Sequence, residues 1–107
     1  MKAKKLIIVS ADWDPLHKKL VKVAQKISAE YNLEIEELKE DWIFLTKYGE
    51  KDELGGADIP QIFLELKNGK IIHIMTKMPI SEQGKIDEEK AIKILKEKIE
   101  SILREKT

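Results

Sequence analysis

The sequence predicts an α/β fold of a single domain over residues 1–107, with elements in the order β-α-β-α-β-β-α. Short apolar runs alternate with segments of helical periodicity, which is typical of sheets that contain parallel strands. Two of these runs are joined by Asn68-Gly69, and Asn-Gly between apolar runs is the strongest short-range signal for a β-hairpin. The length of 107 residues is enough for one core but not for two.

The first strand is predicted at Lys5 to Ser10, a continuous apolar run rich in β-branched residues that is typical of a strand buried on both faces. Asp14 is expected to be the N-cap of the first helix, with Pro15 at the first helical position. Apolar side chains then recur at helical spacing from Leu16 to Ile27. We expect this helix to end near Tyr31-Asn32.

The second strand is predicted at residues 33–39, parallel to the first because a helix connects them. Asp41 can cap the next element, residues 42–48, which we predict to be a helix from the topology although its side chains favour strands. Residues 49–58, which include Gly55-Gly56, are predicted to form an exposed loop. Residues 61–66 and 70–75 then form the hairpin.

The last element is a helix that Asp87 caps. The side chains predicted to bury one stripe of it are Ile92, Leu95, Ile99, Ile102 and Leu103.

Composition excludes several classes of function. The chain has 20 basic and 20 acidic residues, so its overall charge indicates neither a nucleic acid nor an anionic membrane as a partner. It has no cysteine, which excludes disulfides, thiol catalysis and thiolate metal sites. Abundant Lys and Glu are typical of proteins from hot environments. No stretch has the form of a signal peptide or a membrane span, so we expect a cytoplasmic protein.

The predicted order of elements, together with the segment Asp58 to Lys70, resembles the thioredoxin superfamily over nearly the whole chain. In that family an apolar residue and a cis-proline start the third strand, and an Asn-Gly or Asp-Gly hairpin leads to the fourth. Ile59-Pro60 and Asn68-Gly69 match these features in kind and spacing. The resemblance implies a mixed central sheet with helices on both faces, and a cis peptide bond at Pro60.

The segment from Ser10 to His17 resembles the redox turn of that family with both cysteines replaced. If Trp13 is matched to the family's tryptophan, Asp14 and His17 occupy the cysteine positions, and Ile8 occupies the position of the buried acid. A redox site needs a nucleophilic thiolate and a second thiol that resolves the mixed disulfide. The resemblance therefore implies a thioredoxin-like protein without dithiol-disulfide exchange.

The sequence leaves more than one role open for Asp12, Asp14 and His17. We favour Asp14 as a helix cap and His17 as an exposed residue of the first helical turn, because Pro15 is typical of that position. Two carboxylates and an imidazole at one turn could also form a metal site or an acid/base catalytic site. A pH-sensitive contact is a further alternative for His17. For His73, alternation within its strand predicts a half-buried packing role.

Two candidate binding surfaces follow from the sequence. The first is a groove, because the residue before the family's cis-proline presents its backbone N–H and C=O to an extended peptide; its residues are Trp13, Asp14, His17, Ile59 and Pro60. The second comes from the run 42–45, whose four large apolar side chains cannot all face one side of a helix. Its residues are Trp42, Ile43 and Phe44.

We therefore expect a protein-binding or peptide-binding module, or an assembly module, without catalytic residues or cofactor. Its partner is expected to be a protein or an extended peptide, and a homodimer stays open. The alternative is a metal-dependent or acid/base enzyme that uses Asp12, Asp14 and His17. The sequence has no Gly-rich phosphate loop and no His-Glu-x-x-His motif, which favours the binding module.

Overall fold

The structure is a computed structural model that describes residues 2–51, 54 and 56–105, and it has the predicted order of elements. The α/β class is confirmed, with four strands and three helices in the described part of the chain. The elements are β1 (Ala3–Ser10), α1 (His17–Tyr31), β2 (Glu34–Lys39), α2 (Trp42–Tyr48), β3 (Gln61–Leu66), β4 (Ile71–Thr76) and α3 (Glu88–Arg104).

The strands form one mixed sheet in the order β2-β1-β3-β4. β2 pairs with β1 in parallel, as predicted, and Leu6 lies opposite Ile35. β3 is antiparallel to both β1 and β4. The two central strands, β1 and β3, therefore have hydrogen-bonded neighbours on both sides.

The core lies on both faces of this sheet because successive side chains of a strand point to opposite faces. Leu6 and Ile8 belong to the larger cluster, which also contains side chains of α1 and α3. Ile7 and Val9 belong to the smaller cluster with Leu45 of α2. Helices thus cover both faces, which explains why the apolar run in β1 is continuous rather than alternating.

The predicted start of α1 is wrong by two residues. Leu16 is the N-cap of this helix and has no side-chain cap, and the helix begins at His17. Asp14 instead accepts a hydrogen bond from the Leu16 N–H at 2.8 Å, and its C=O accepts one from the His17 N–H at 3.0 Å. Residues 14–17 form a β-turn with Asp at the first position and Pro15 at the second, where both residue types are favoured.

The other helix caps are as predicted. Asp41 accepts a hydrogen bond from the Phe44 N–H at 2.9 Å, and Asp87 accepts one from the Lys90 N–H at 3.0 Å. Residues 42–48 are helical although their side chains favour strands, because Leu45 is buried in the smaller core cluster. No helix within the described ranges combines the length and the apolar character that crossing a membrane requires.

The hairpin between β3 and β4 turns at Asn68 and Gly69, as predicted. The Gly69 N–H donates to the C=O of Leu66 at 2.9 Å, and Gly69 has a φ of 90°, a conformation that favours glycine. In the predicted loop 49–58, Lys51 and Ala57 form an isolated β-bridge. Residues 52, 53 and 55 of that loop lie outside the described residues. The predicted Gly55-Gly56 pair is therefore described only at Gly56.

Candidate functional site

The candidate site lies at one end of the sheet, which we call the carboxyl end: the end where β1, β2 and β4 finish and β3 begins. The strand directions determine which segments meet at this end, because parallel strands finish at the same end of a sheet. Val9 lies opposite Gln61, which in turn lies opposite Thr76. The segments that follow β1 and precede β3 are therefore neighbours, and these segments contain the predicted groove residues.

Two contacts tie the segment after β1 to the segment after β2. The Glu40 N–H donates to the C=O of Ser10 at 2.8 Å. The Lys39 ammonium group lies 2.7 Å from the Asp12 carboxylate, and this hydrogen bond holds the pKa of the Asp12 carboxyl below its ordinary value. The loop that carries Trp13 and the helix that starts at Trp42 are therefore held side by side.

His17 does not project into solvent as an exposed first-turn residue. Its side chain is 17% exposed, and its Nδ1 lies 3.1 Å from the Ser10 Oγ. Its Nε2 lies 3.5 Å from a carboxylate oxygen of Glu37 and 3.8 Å from one of Asp12. His17 thus links the start of α1 to β1 and β2, and it contributes little surface to a groove.

The Asp12 carboxylate lies 3.8 Å from His17 Nε2, but Asp14 does not join these two side chains in a ligand set. The Asp14 carboxylate accepts from the Leu16 N–H, whereas the Asp12 carboxylate pairs with Lys39. No group of three or more His, Asp or Glu residues that could hold a metal ion is found within residues 2–51, 54 and 56–105. The metal site considered from the sequence therefore lacks a ligand set at this turn.

The contacts of His17 also bring a hydroxyl, an imidazole and a carboxylate into line, from Ser10 through His17 to Glu37. Such an order of groups is used for nucleophilic catalysis when the hydroxyl can reach a substrate. Ser10 is buried, with 2% of its surface exposed, so a substrate has no access to its hydroxyl. The arrangement connects structural elements and does not form an open catalytic site.

Large apolar side chains are exposed around the two tethered segments. Trp13 is 65% exposed, Trp42 is 45% exposed and Ile43 is 84% exposed. Phe44, the third residue of the predicted partner surface, is half-buried and lies edge-on to Phe63 with ring centroids 5.0 Å apart. We call Trp13, Trp42 and Ile43 the apolar surface. Phe44, the residue after Ile43, packs against Phe63 of the sheet.

Ile59 and Pro60 lie next to the segment that follows β1. The peptide bond between them is cis, as the resemblance implied. Pro60 is buried and its C=O accepts a hydrogen bond from the Lys77 N–H at 2.8 Å, so Pro60 does not line a surface. Ile59 is half-buried, and none of the described residues forms a hydrogen bond with its backbone N–H or C=O. The backbone of Ile59 is therefore the part of this dipeptide that can bind an extended segment.

Gln61 is a structural residue of this site that the sequence did not single out. Its side chain is fully buried; its Oε1 accepts from the Glu50 N–H at 2.9 Å, and its Nε2 donates to the C=O of Asp58 at 2.8 Å and of Glu50 at 3.1 Å. Gly49 has to be glycine because an added Cβ would lie 2.7 Å from the Leu45 oxygen and 2.9 Å from Gln61 Oε1. The signal in the sequence was a single glutamine, Gln61, at the start of an apolar strand, where a polar side chain needs hydrogen-bond partners.

His73 has the half-buried packing role that alternation predicted. Its ring lies edge-on to Phe63 with centroids 5.5 Å apart, and its Nε2 lies 2.6 Å from the Thr76 Oγ1. Burial lowers the pKa of His73 below the ordinary value of 6.5; Glu50 opposes this shift and Lys98 adds to it.

The lowered pKa of His73 predicts a loss of stability in acid. The unfolded chain binds the proton at higher pH than the folded chain, so the free energy of unfolding should fall as the pH drops below about 6.5 toward the folded pKa. Above that window His73 should contribute no pH dependence. Urea unfolding at about pH 7.5 and about pH 5 should show a smaller difference for His73→Gln than for the unmodified protein. Equal differences for the two proteins would contradict this assignment.

A comparison of the chain with models of known protein families finds no match, and a comparison with curated proteins finds none either. The function must therefore be argued from the geometry of the carboxyl end.

Proposed function

We propose that this chain is a thioredoxin-like, non-redox module that binds a protein or an extended peptide at the carboxyl end of its sheet. The observation that carries the proposal is the apolar surface: three large apolar side chains, Trp13, Trp42 and Ile43, stand exposed on two segments that direct contacts hold together. Clustered exposed apolar residues are typical of interaction sites, whereas single ones are ordinary.

The fold supports the thioredoxin-like part of the proposal. The element order and the mixed sheet with helices on both faces agree with what the resemblance implies. Ile59-Pro60 directly precedes β3, and Asn68-Gly69 lies in the turn to β4, as the resemblance requires. In this interpretation, residues 10–17 keep the position of the redox turn but serve as a rim for binding.

The chemistry of the rim supports binding rather than catalysis. The groups that could act as acid, base or nucleophile are already engaged: Ser10 is buried, His17 lies against Ser10, and the Asp12 carboxylate pairs with Lys39. Aromatic side chains remain available, and so do the backbone N–H and C=O of Ile59, which have no hydrogen-bond partner among the described residues. Tryptophan contributes large contact areas at protein interfaces, and the N–H and C=O of Ile59 can pair with an extended backbone.

Capture of partners from an extract of the source cells tests the proposal. We expect Trp13→Ala and Ile43→Ala each to reduce the amount of captured partner about tenfold or more, because a central apolar contact contributes roughly 1.4 kcal/mol or more to binding. Both side chains are exposed, so neither change should affect folding. Quantitative mass spectrometry of the captured proteins gives the readout.

Ile80→Ala is the matched control for this capture. Ile80 is also a large exposed apolar residue at the carboxyl end, but it follows β4, on the far side of the sheet from β2. Capture should persist in this variant. A partner that is retained by Trp13→Ala and Ile43→Ala as well as by Ile80→Ala would refute the proposed surface.

A further inference from the structure

The helix α1 carries a row of lysines on its outer side. Lys18, Lys22 and Lys26 follow one another at every fourth residue, so their side chains leave the same side of the helix about 6 Å apart along its axis. Lys19 stands beside this row. All four lysines are exposed, and none of them forms an ion pair with another residue that the structure describes. We call these four residues the lysine face.

No acidic residue of α1 neutralises the lysine face. Residues 17–29 contain neither Asp nor Glu, and Glu30 pairs with Lys96 of α3 at 2.9 Å. The carboxylates around the start of α1 have contacts of their own: Asp12 with Lys39, Glu37 with His17, and Asp14 with the Leu16 N–H. The zero net charge of the chain is therefore an average that does not describe this face.

The charges of α1 are placed where they destabilise the helix. Like charges four residues apart on a helix repel each other, and lysines in the first turn lie next to the positive end of the helix dipole. The first turn of α1 contains Lys18 and Lys19 and no acidic residue. In contrast, α3 has the favourable order, with acidic residues in its first turn and Arg104 in its last. A local charge pattern that opposes stability is typical of a functional surface.

We propose that the lysine face binds the phosphate backbone of a nucleic acid without reading its base sequence. Evenly spaced cations suit a linear polyanion, and each lysine that meets a phosphate releases a counterion, which drives the association. The site lies on the opposite face of the sheet from α2, and it does not depend on the apolar surface.

An anionic membrane fits the lysine face less well. Between the lysines, the exposed residues of α1 are Gln25 and Ala29, whereas its large apolar side chains Leu20, Val23 and Ile27 are buried in the core. A helix that lies in a membrane interface needs large apolar side chains that enter the lipid. The lysine face offers charge alone, in a linear order, which favours a nucleic acid.

Fluorescence anisotropy with two labelled probes tests the proposal: a short DNA duplex and a short single-stranded RNA, both of mixed sequence. The dissociation constant should rise about twentyfold or more between 50 and 200 mM NaCl, because several counterions return to the nucleic acid when the complex dissociates. A second DNA duplex with a scrambled sequence should bind equally well, since phosphate contacts carry no sequence information. The probe that binds more tightly identifies the ligand as DNA or RNA.

The triple variant Lys18→Gln, Lys22→Gln, Lys26→Gln tests the row directly. It should bind both probes about tenfold or more weakly, and its salt dependence should flatten by about one unit of log-log slope for each lysine removed. Its thermal unfolding temperature should not fall, because the changes remove repulsion between like charges. The matched control removes the same charge from exposed positions of α3, and its affinity should change less than about twofold. Its substitutions are Lys90→Gln, Lys93→Gln and Lys98→Gln.

Several results would overturn the nucleic-acid site. These are the absence of binding to both probes at about 50 mM NaCl, or an equal loss of affinity in the two triple variants, which would indicate attraction by overall charge. Vesicles of equal parts phosphatidylserine and phosphatidylcholine that bind more tightly than either probe, and only through the lysine face, would assign the face to a membrane instead. Trp13→Ala should bind the probes as tightly as the unmodified protein, so a failure of the proposed partner surface leaves this site standing.

Discussion

Replacing Phe63 by alanine is expected to lower the free energy of unfolding by about 3–5 kcal/mol. Phe63 lies fully buried on the central strand β3, at the centre of the smaller core cluster, where it meets the ring of Phe44 edge-on at 5.0 Å and that of His73 at 5.5 Å. Alanine would leave a cavity between the sheet and α2. Because small domains are stable by only about 5–15 kcal/mol, this loss is a large fraction of the total.

Urea unfolding followed by circular dichroism measures this effect. Phe63→Leu is the matched control, since it keeps most of the apolar volume and should cost less than half as much as alanine. The change also bears on function, because Phe63 supports Phe44 and thereby the helix that presents Trp42 and Ile43. A loss below about 1 kcal/mol for Phe63→Ala would mean that α2 does not depend on this packing.

Elements whose signals are local could be predicted from the sequence. The apolar run of β1, the Asn68-Gly69 turn and the caps Asp41 and Asp87 each depend on a few consecutive residues. The helical state of residues 42–48 could be predicted only from topology, because burial of Leu45 outweighs the strand preference of its neighbours.

The start of α1 shows where a local signal is ambiguous. An aspartate followed by a proline is typical of a helix N-cap, but it is equally typical of the first two positions of a β-turn. In both cases the carboxylate accepts from a backbone N–H nearby; here the donor is Leu16, two residues on. The sequence alone does not distinguish these outcomes. In the structure the Asp14 C=O accepts from the His17 N–H and closes a turn, and the Leu20 N–H donates to the Leu16 C=O as the helix starts.

The candidate site could be predicted only in part for the same reason. Exposure of at least one side chain in the run 42–45 follows from helical geometry, and Trp42 and Ile43 are the exposed ones. The burial of Pro60 depends on which segments the strand directions bring together.

Replacing Gln61 by leucine is expected to lower the free energy of unfolding by about 2–4 kcal/mol, although the new side chain has a similar size. The cause is the loss of the buried amide that bonds Glu50 and Asp58, since each backbone group left without a partner costs about 1–3 kcal/mol when water cannot reach it. Gln25→Leu, on the exposed side of α1, should change stability by less than about 0.5 kcal/mol.

The same substitution should release the segment that leads to Ile59, because Gln61 is bonded to both ends of residues 50–58. Trypsin should therefore cleave after Lys51 several-fold faster in Gln61→Leu than in Gln25→Leu, at a temperature where both proteins are folded. Partner capture should weaken together with that release if the backbone of Ile59 takes part in binding. Unchanged cleavage with reduced stability would mean that Gln61 stabilises β3 itself, and capture would then depend on Trp13 and Ile43 alone.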